Sequence, residues 1–185
     1  MASRSIRPFR GLLAIVLAGT AGAQVTVRVS LGSDGNEGNN RSGNSVITPD
    51  GRFVAFQSDA TNLVPGDTNG FVDLFVRDRA TGTTDRINVG SSGIQANAKS
   101  YLDSITPDGR YVTFSSAATN LVPGDTNARP DIFVRDRVSR TTERVSLSSG
   151  GAQADAESGN SRCSADGRFI AFGRFWLSSN LIRIQ

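Results

Sequence analysis

Thr48-Pro-Asp-Gly-Arg-Phe-Val-Ala-Phe56 returns as Thr106-Pro-Asp-Gly-Arg-Tyr-Val-Thr-Phe114 and again as Ser164-Ala-Asp-Gly-Arg-Phe-Ile-Ala-Phe172. The turn aspartates Asp50, Asp108 and Asp166 stand 58 residues apart (50 to 108 to 166). Proline early in a turn, glycine at its end and a β-favouring run behind it mark the return of a hairpin. A constant period of this length means supersecondary units that stack or close radially, rather than one irregular globule.

Working outward, each period reads as four short strands. Ser45 to Thr48 leads into the turn, and Phe53 to Gln57 runs back. Asp73 to Asp78 follows as a third strand and Thr84 to Val89 as a fourth, joined by a turn at Ala80 to Thr83. The second copy repeats them as Ser104 to Thr106, Tyr111 to Ser115, Asp131 to Asp136 and Thr142 to Leu147. Four antiparallel strands per unit make a propeller blade. Leu74-Phe-Val76 and Ile132-Phe-Val134 are apolar at consecutive positions, as strands buried on both faces must be. The links Gly90 to Asp103 and Ser148 to Ser161 are rich in Ser, Gly, Asn and Ala and read as surface connectors. Their constant length implies defined paths. Val25 to Leu31 matches a fourth strand, because Arg28, Arg86 and Arg144 are 58 apart. The segment after the leader thus opens with an outer strand that has no blade of its own.

The Ser/Thr-Pro-Asp-Gly-Arg-Phe-Val-Ala-Phe signature with its later Asp-Leu/Ile-Phe-Val-Arg-Asp strand resembles the WD40-like (PD40) repeats of TolB-type β-propellers, over nearly all of Val25 to Phe172. The resemblance implies a propeller in the bacterial cell envelope, often with a protein-binding role. It is specific to the repeat and not to any activity.

Residues 1–23 carry Arg4, Arg7 and Arg10, the apolar run Gly11 to Ala18, and small residues at Ala21 and Ala23. This is the pattern of a signal peptide cleaved before Gln24, with an apolar run short of the roughly 20 residues that span a bilayer. The repeats then occupy 24–185 as one domain, with no membrane span after cleavage. Loss of the three arginines takes the formal charge from +3 to zero. A nucleic-acid partner is therefore not expected. Histidine is absent, which excludes histidine-based triads and most zinc or copper sites. The lone Cys163 takes the place of Ile47 and Ile105 and reads as a small apolar filler.

The loop Asn62-Leu-Val-Pro-Gly-Asp-Thr-Asn-Gly70 recurs as Asn120 to Ala128 and leads to Asp73 and Asp131. Asp67, Asn69 and Asp73, with Asp125, Asn127 and Asp131, are hard oxygen donors suited to Ca²⁺, the one cofactor candidate. The competing reading is a turn whose side chains cap backbone amides. Asp78 and Asp136, flanked by Arg77 and Arg79 and by Arg135 and Arg137, read as ion pairs between strand ends, since one catalytic pair would need an asymmetric pocket. Phe175 and Trp176 lie where the repeat fails and are candidates for stacking on a glycan.

The expectation is an all-β partial propeller of about three blades. After Phe172 the register slips, leaving either an abbreviated last blade with Leu181 to Ile184 as its third strand or a truncated reading frame. Open apolar faces on the end blades then call for self-association or mark a truncated product. The expected role is an exported, periplasmic or extracellular, non-enzymatic module binding a protein or ligand. Its alternatives are a fragment of a propeller enzyme acting on glycans and a calcium-stabilised structural repeat.

Overall fold

The computed structural model describes the backbone of residues 14–16, 25–174 and 180–184 and the side chains of 25–173. The elements are β1 (Ala14–Val16), β2 (Thr26–Arg28), β3 (Ser42–Ile47), β4 (Phe53–Ser58), β5 (Asp73–Asp78), β6 (Thr83–Arg86), β7 (Ser100–Ile105), β8 (Tyr111–Ser116), β9 (Asp131–Asp136), β10 (Thr141–Arg144), β11 (Ser158–Cys163), β12 (Phe169–Arg174) and β13 (Asn180–Ile184). Among the described residues there is no helix. Three antiparallel meanders, β3-β4-β5-β6, β7-β8-β9-β10 and β11-β12-β13, are propeller-type blades, and β1 pairs with β2 as a separate ribbon.

The Pro-Asp-Gly-Arg turn forms because its side chains close it. Gly51 N donates to Thr48 O at 2.8 Å, and Asp50 Oδ1 accepts from Thr48 Oγ1 at 2.6 Å and from Arg52 N at 3.0 Å. The glycine is at φ +71°, a conformation that costs any residue with a Cβ. The second and third turns repeat the pattern through Asp108 and Asp166.

Blades pack face to face. Phe53, Ala55, Leu74, Val76 and Ile87 of the first meet Val112, Phe114 and Phe133 of the second. The second blade's opposite face, Ile132, Val134 and Val145, meets Ile170 and Phe172 of the third. Consecutive apolar residues on β9 thus serve both neighbouring blades, and those on β5 serve the second blade on one face and the loop after β4 on the other. The contact also explains a glycine: a Cβ on Gly109 would lie 2.3 Å from the Phe53 ring, and one on Gly167 would lie 2.4 Å from the Tyr111 ring. The aromatic that opens β4 and the one that opens β8 each lie over the next blade's turn.

The connectors follow defined paths. Leu31 bridges Glu37, Val89 bridges Gln95 and Leu147 bridges Gln153, one small loop per period. The first two loops are tied to the next blade's outer strand. Thr84 Oγ1 donates to Leu31 O at 2.6 Å and Thr142 Oγ1 to Val89 O at 2.5 Å, while Ser33 and Ser91 hydroxyls accept from the same threonines' amides.

Several boundaries differ from the sequence reading. The first strands begin earlier, at Ser42, Ser100 and Ser158, so the ends of the supposed connectors belong to blades. A bulge in each disguises them, between Gly43 and Val46, Leu102 and Ser104, and Gly159 and Arg162. The fourth strands end at Arg86 and Arg144 instead of Val89 and Leu147. Asn88 and Ser146 replace backbone there, their side-chain oxygens accepting from Leu74 N and Ile132 N. β2 lies where a fourth strand was expected, but its ladder partner is β1, from the leader segment. Asn180–Ile184 is the third strand of its blade, paired with β12.

The two end faces are unlike. On the first blade Phe56 and Phe75 are fully buried with Ala60 and Leu63, which corrects the expectation of an exposed face there. The loop after β4 folds back over them, held to the preceding connector by Asn62 Nδ2 donating to Glu37 O at 2.9 Å. On the third blade Phe169 is 37% exposed, where its counterpart Phe53 is 8% exposed. That face is open because no fourth blade covers it among the described residues.

Candidate functional site

The structure brings each set of three candidate ligands together, around an arginine from the fourth strand. Arg86 Nη1 lies 3.2 Å from Asp67 Oδ1 and 2.8 Å from Asp73 Oδ2, and it donates to Gln95 Oε1 at 2.7 Å. Asn69 Nδ2 donates to Asp73 Oδ1 at 2.9 Å while its oxygen accepts from Phe71 N at 3.1 Å. In the second copy Arg144 Nη1 lies 3.1 Å from Asp125 Oδ1 and 3.3 Å from Asp131 Oδ2, with Gln153 Oε1 at 2.8 Å. Asn127 Nδ2 again donates to Asp131, and its Oδ1 accepts from the backbone amide of Arg129 two residues on. Antiparallel register, Phe75 opposite Arg86 and Phe133 opposite Arg144, carries each arginine to its carboxylates. A Ca²⁺ ion takes 6 to 8 oxygens, and here it would have to displace the guanidinium and turn the asparagine around. Among the described residues no group of three His, Cys, Asp or Glu side chains is placed to hold a metal.

These clusters are buried: the Asp73 and Asp131 side chains have no exposure. Burial, then the Asp73 charge, raises the Asp67 carboxyl above its ordinary value, with Arg86 opposing. Burial raises Asp125 too, against the pull of Arg144. One arginine facing two carboxylates in low dielectric leaves a charge imbalance that desolvation makes costly. The cluster clamps the loop, β5, β6 and the following connector into one unit.

The second charged pair links strand ends. Arg52 Nη2 and Nε bind Asp78 at 2.8 and 3.1 Å, and Arg110 Nη2 binds Asp136 at 2.7 Å. The Arg52 and Arg110 hydrogen bonds hold Asp78 and Asp136 down at about 2. The neighbours named with them in the sequence do other work. Arg77 and Arg135 donate to connector carbonyls, and Arg79 and Arg137 donate to the turn carbonyls of Gly51 and Gly109. Cys163 is half-buried against Tyr111 and the second core cluster, its thiol raised by burial.

A cleft of 430 Å³ opens between the first and second blades, and Asp85, Arg86, Ser92, Arg135, Arg137 and Arg140 are among its walls. Arg137 Nη2 pairs with Asp85 at 3.0 Å across the blades, and its guanidinium lies over the Phe53 ring at 5.1 Å. Arg135 is 8% exposed and its Nη1 donates to neutral acceptors, Thr142 Oγ1 at 3.0 Å and Gly90 O at 3.4 Å. The sequence reading missed this cleft, since it joins residues some fifty positions apart; the signal was available wherever charge changes between copies. Phe175 and Trp176 lie outside the described residues, as does the leader except for Ala14–Val16.

No protein-family model and no curated protein matches the chain. Among solved structures it is similar to a putative TolB from Agrobacterium tumefaciens, at 21% identity and a TM-score of 0.52, covering 91% of this chain and 50% of that one. It also matches the tricorn protease at 12% identity and TM-score 0.48, over 82% of this chain and 12% of that one. A prolyl endopeptidase matches at 14% and 0.47, over 89% and 24%. The TolB likeness supports the propeller fold, and this chain spans half the length of that protein.

Proposed function

We propose that the chain is an exported, non-enzymatic β-propeller module that binds a protein or ligand in the cell envelope. The observation that carries this reading is repetition in the charged groups. Asp67, Asp73 and Arg86 recur as Asp125, Asp131 and Arg144, and Asp78 with Arg52 recurs as Asp136 with Arg110, each set holding the same scaffold contacts. Carboxylates spent identically in both four-stranded units do structural work, whereas catalysis needs groups converging on one asymmetric pocket. A rigid stack with loops at its edges is the form in which binding surfaces are carried.

Export rests on the Arg4–Arg10 charge, the apolar run after it and Ala21-Gly-Ala23. Among the described residues no helix is long and apolar enough to cross a membrane. Cleavage before Gln24 removes β1 and frees the edge of β2 that it covers. The open face at Phe169 is the place for self-association or a protein partner. Intact-mass measurement on protein from the exported fraction of its native host tests the reading. A chain starting at Gln24 is the expected result, and full-length protein confined to the cytosol would overturn it.

A further inference from the structure

Superposing the repeats by their period shows where the cleft departs from repetition. Val27, Asp34 and Gly82 of the first unit correspond to Asp85, Ser92 and Arg140 of the second. Asp85 adds an acid, but Arg137 takes it up at 3.0 Å. Ser92 removes an acid and Arg140 adds a cation, so the second copy gains positive charge that no repeated contact explains. Among the described residues no carboxylate lies within ion-pair distance of Arg135 or Arg140. Arg135 is more than nine-tenths buried and faces the cleft. Arg137 Nε is also buried there, without a hydrogen-bond partner.

Arg140 has a further peculiarity. Its backbone is at φ +59°, the left-handed conformation that Gly82 takes at +71°. A side chain there strains the backbone, and such strain persists where a function holds it. The turn itself does not need the arginine. Thr81 and Thr83 hydroxyls close the glycine copy at 2.9 Å, and Ser139 and Thr141 close this one at 2.8 Å.

We propose that this cleft binds an oxyanion, a sulfate, phosphate or carboxylate group borne by a small molecule or saccharide, with Arg135 at its floor and Arg140 at its rim. Guanidinium forks match the oxygen geometry of such groups and bind them through paired, charge-assisted hydrogen bonds. A volume of 430 Å³ admits one such group with the unit that carries it. The ligand class deepens the binding-module reading and rests on it for its setting. Binding is measured on the purified full-length chain, so failure of export leaves this proposal intact and its own failure leaves export intact.

Sodium sulfate is titrated calorimetrically into the chain at ionic strength held constant with sodium chloride, and a sulfated disaccharide is titrated in parallel. Saturable binding is expected, tighter for the disaccharide if the ion is read on a sugar and equal if the free ion is the ligand. Arg140→Gly, which restores the residue of the first copy, should weaken binding by about tenfold or more, with a melting temperature unchanged or raised. A response no different from chloride, or affinity unchanged in the Arg140→Gly variant, would overturn the proposal.

Discussion

Replacing Gly109 by alanine perturbs the contact that joins one blade to the next. Two penalties combine. The position is at φ +71°, where a Cβ costs about 1–2 kcal/mol. The new methyl would also lie 2.3 to 2.6 Å from three atoms of the Phe53 ring. That ring is buried between blades and covered by Arg52 at 4.7 Å and Arg137 at 5.1 Å, so it has little room to move. Overpacking of this kind costs about 1–3 kcal/mol. The total is roughly 3 kcal/mol, or a fall in melting temperature of about 6–12 °C for a domain of this size. Gly51 supplies the control. It has the same φ of +71°, but its nearest neighbour is the end of the Arg79 side chain at 3.4 Å, so Gly51→Ala should cost only the backbone strain of about 1–2 kcal/mol. Thermal and urea unfolding of both variants measure the difference, and in a Phe53→Ala background the extra cost at Gly109 should vanish. Equal melting temperatures for Gly109→Ala and Gly51→Ala would refute the interlocked stack.

Acid unfolding follows from the strand-end pairs. Asp78 and Asp136 at about 2 lie below the ordinary 3.8, so their stabilisation is present above about pH 4 and is lost as pH falls towards about 2. Burial raises Asp67, Asp103 and Asp125, which gives the opposite slope. Arg52→Gln should therefore flatten the loss between about pH 4 and 2, measured by urea midpoints, and an unchanged slope would disprove the Asp78 assignment. For calcium, melting curves in about 1 mM ion and in chelator should superpose, since Arg86 and Arg144 already hold the carboxylates. A binding site at about 10⁻⁴ M would instead add roughly 1.4 kcal/mol, and a rise of several degrees would show that the ion displaces them.

The blade was legible because its signals are local. A Pro-Asp-Gly-Arg turn and the apolar runs on β5 and β9 fix strands within a few residues, and a constant period fixes their multiplicity. The first strands were half hidden in the first and third blades, because Gly43-Asn44 and Gly159-Asn160 lie at a bulge, with Asn44 at φ +42° and Asn160 at +55°, and resemble loop in sequence. The fourth strands stopped early for an equally non-local reason: the Asn88 side-chain oxygen accepts from Leu74 N, fourteen residues back. In the clusters, spacing alone brought Asp67, Asn69 and Asp73 together, yet it could not show the cation among them. Arg86 arrives through strand register, thirteen residues beyond Asp73. The cleft is further removed still, since Asp85 and Arg137 meet only once two blades have stacked.

Charges shared by the two four-stranded blades build the scaffold, and under the proposal the repeat-breaking Arg140 binds an anion. Thermal unfolding of Arg52→Gln and Arg140→Gly, each with and without sulfate at fixed ionic strength, tests that division directly. Arg52→Gln should melt lower than the parent and keep its sulfate-induced rise. Arg140→Gly should melt at or above the parent and lose that rise. A stable Arg52→Gln variant together with an Arg140→Gly variant that keeps its sulfate response would contradict the account.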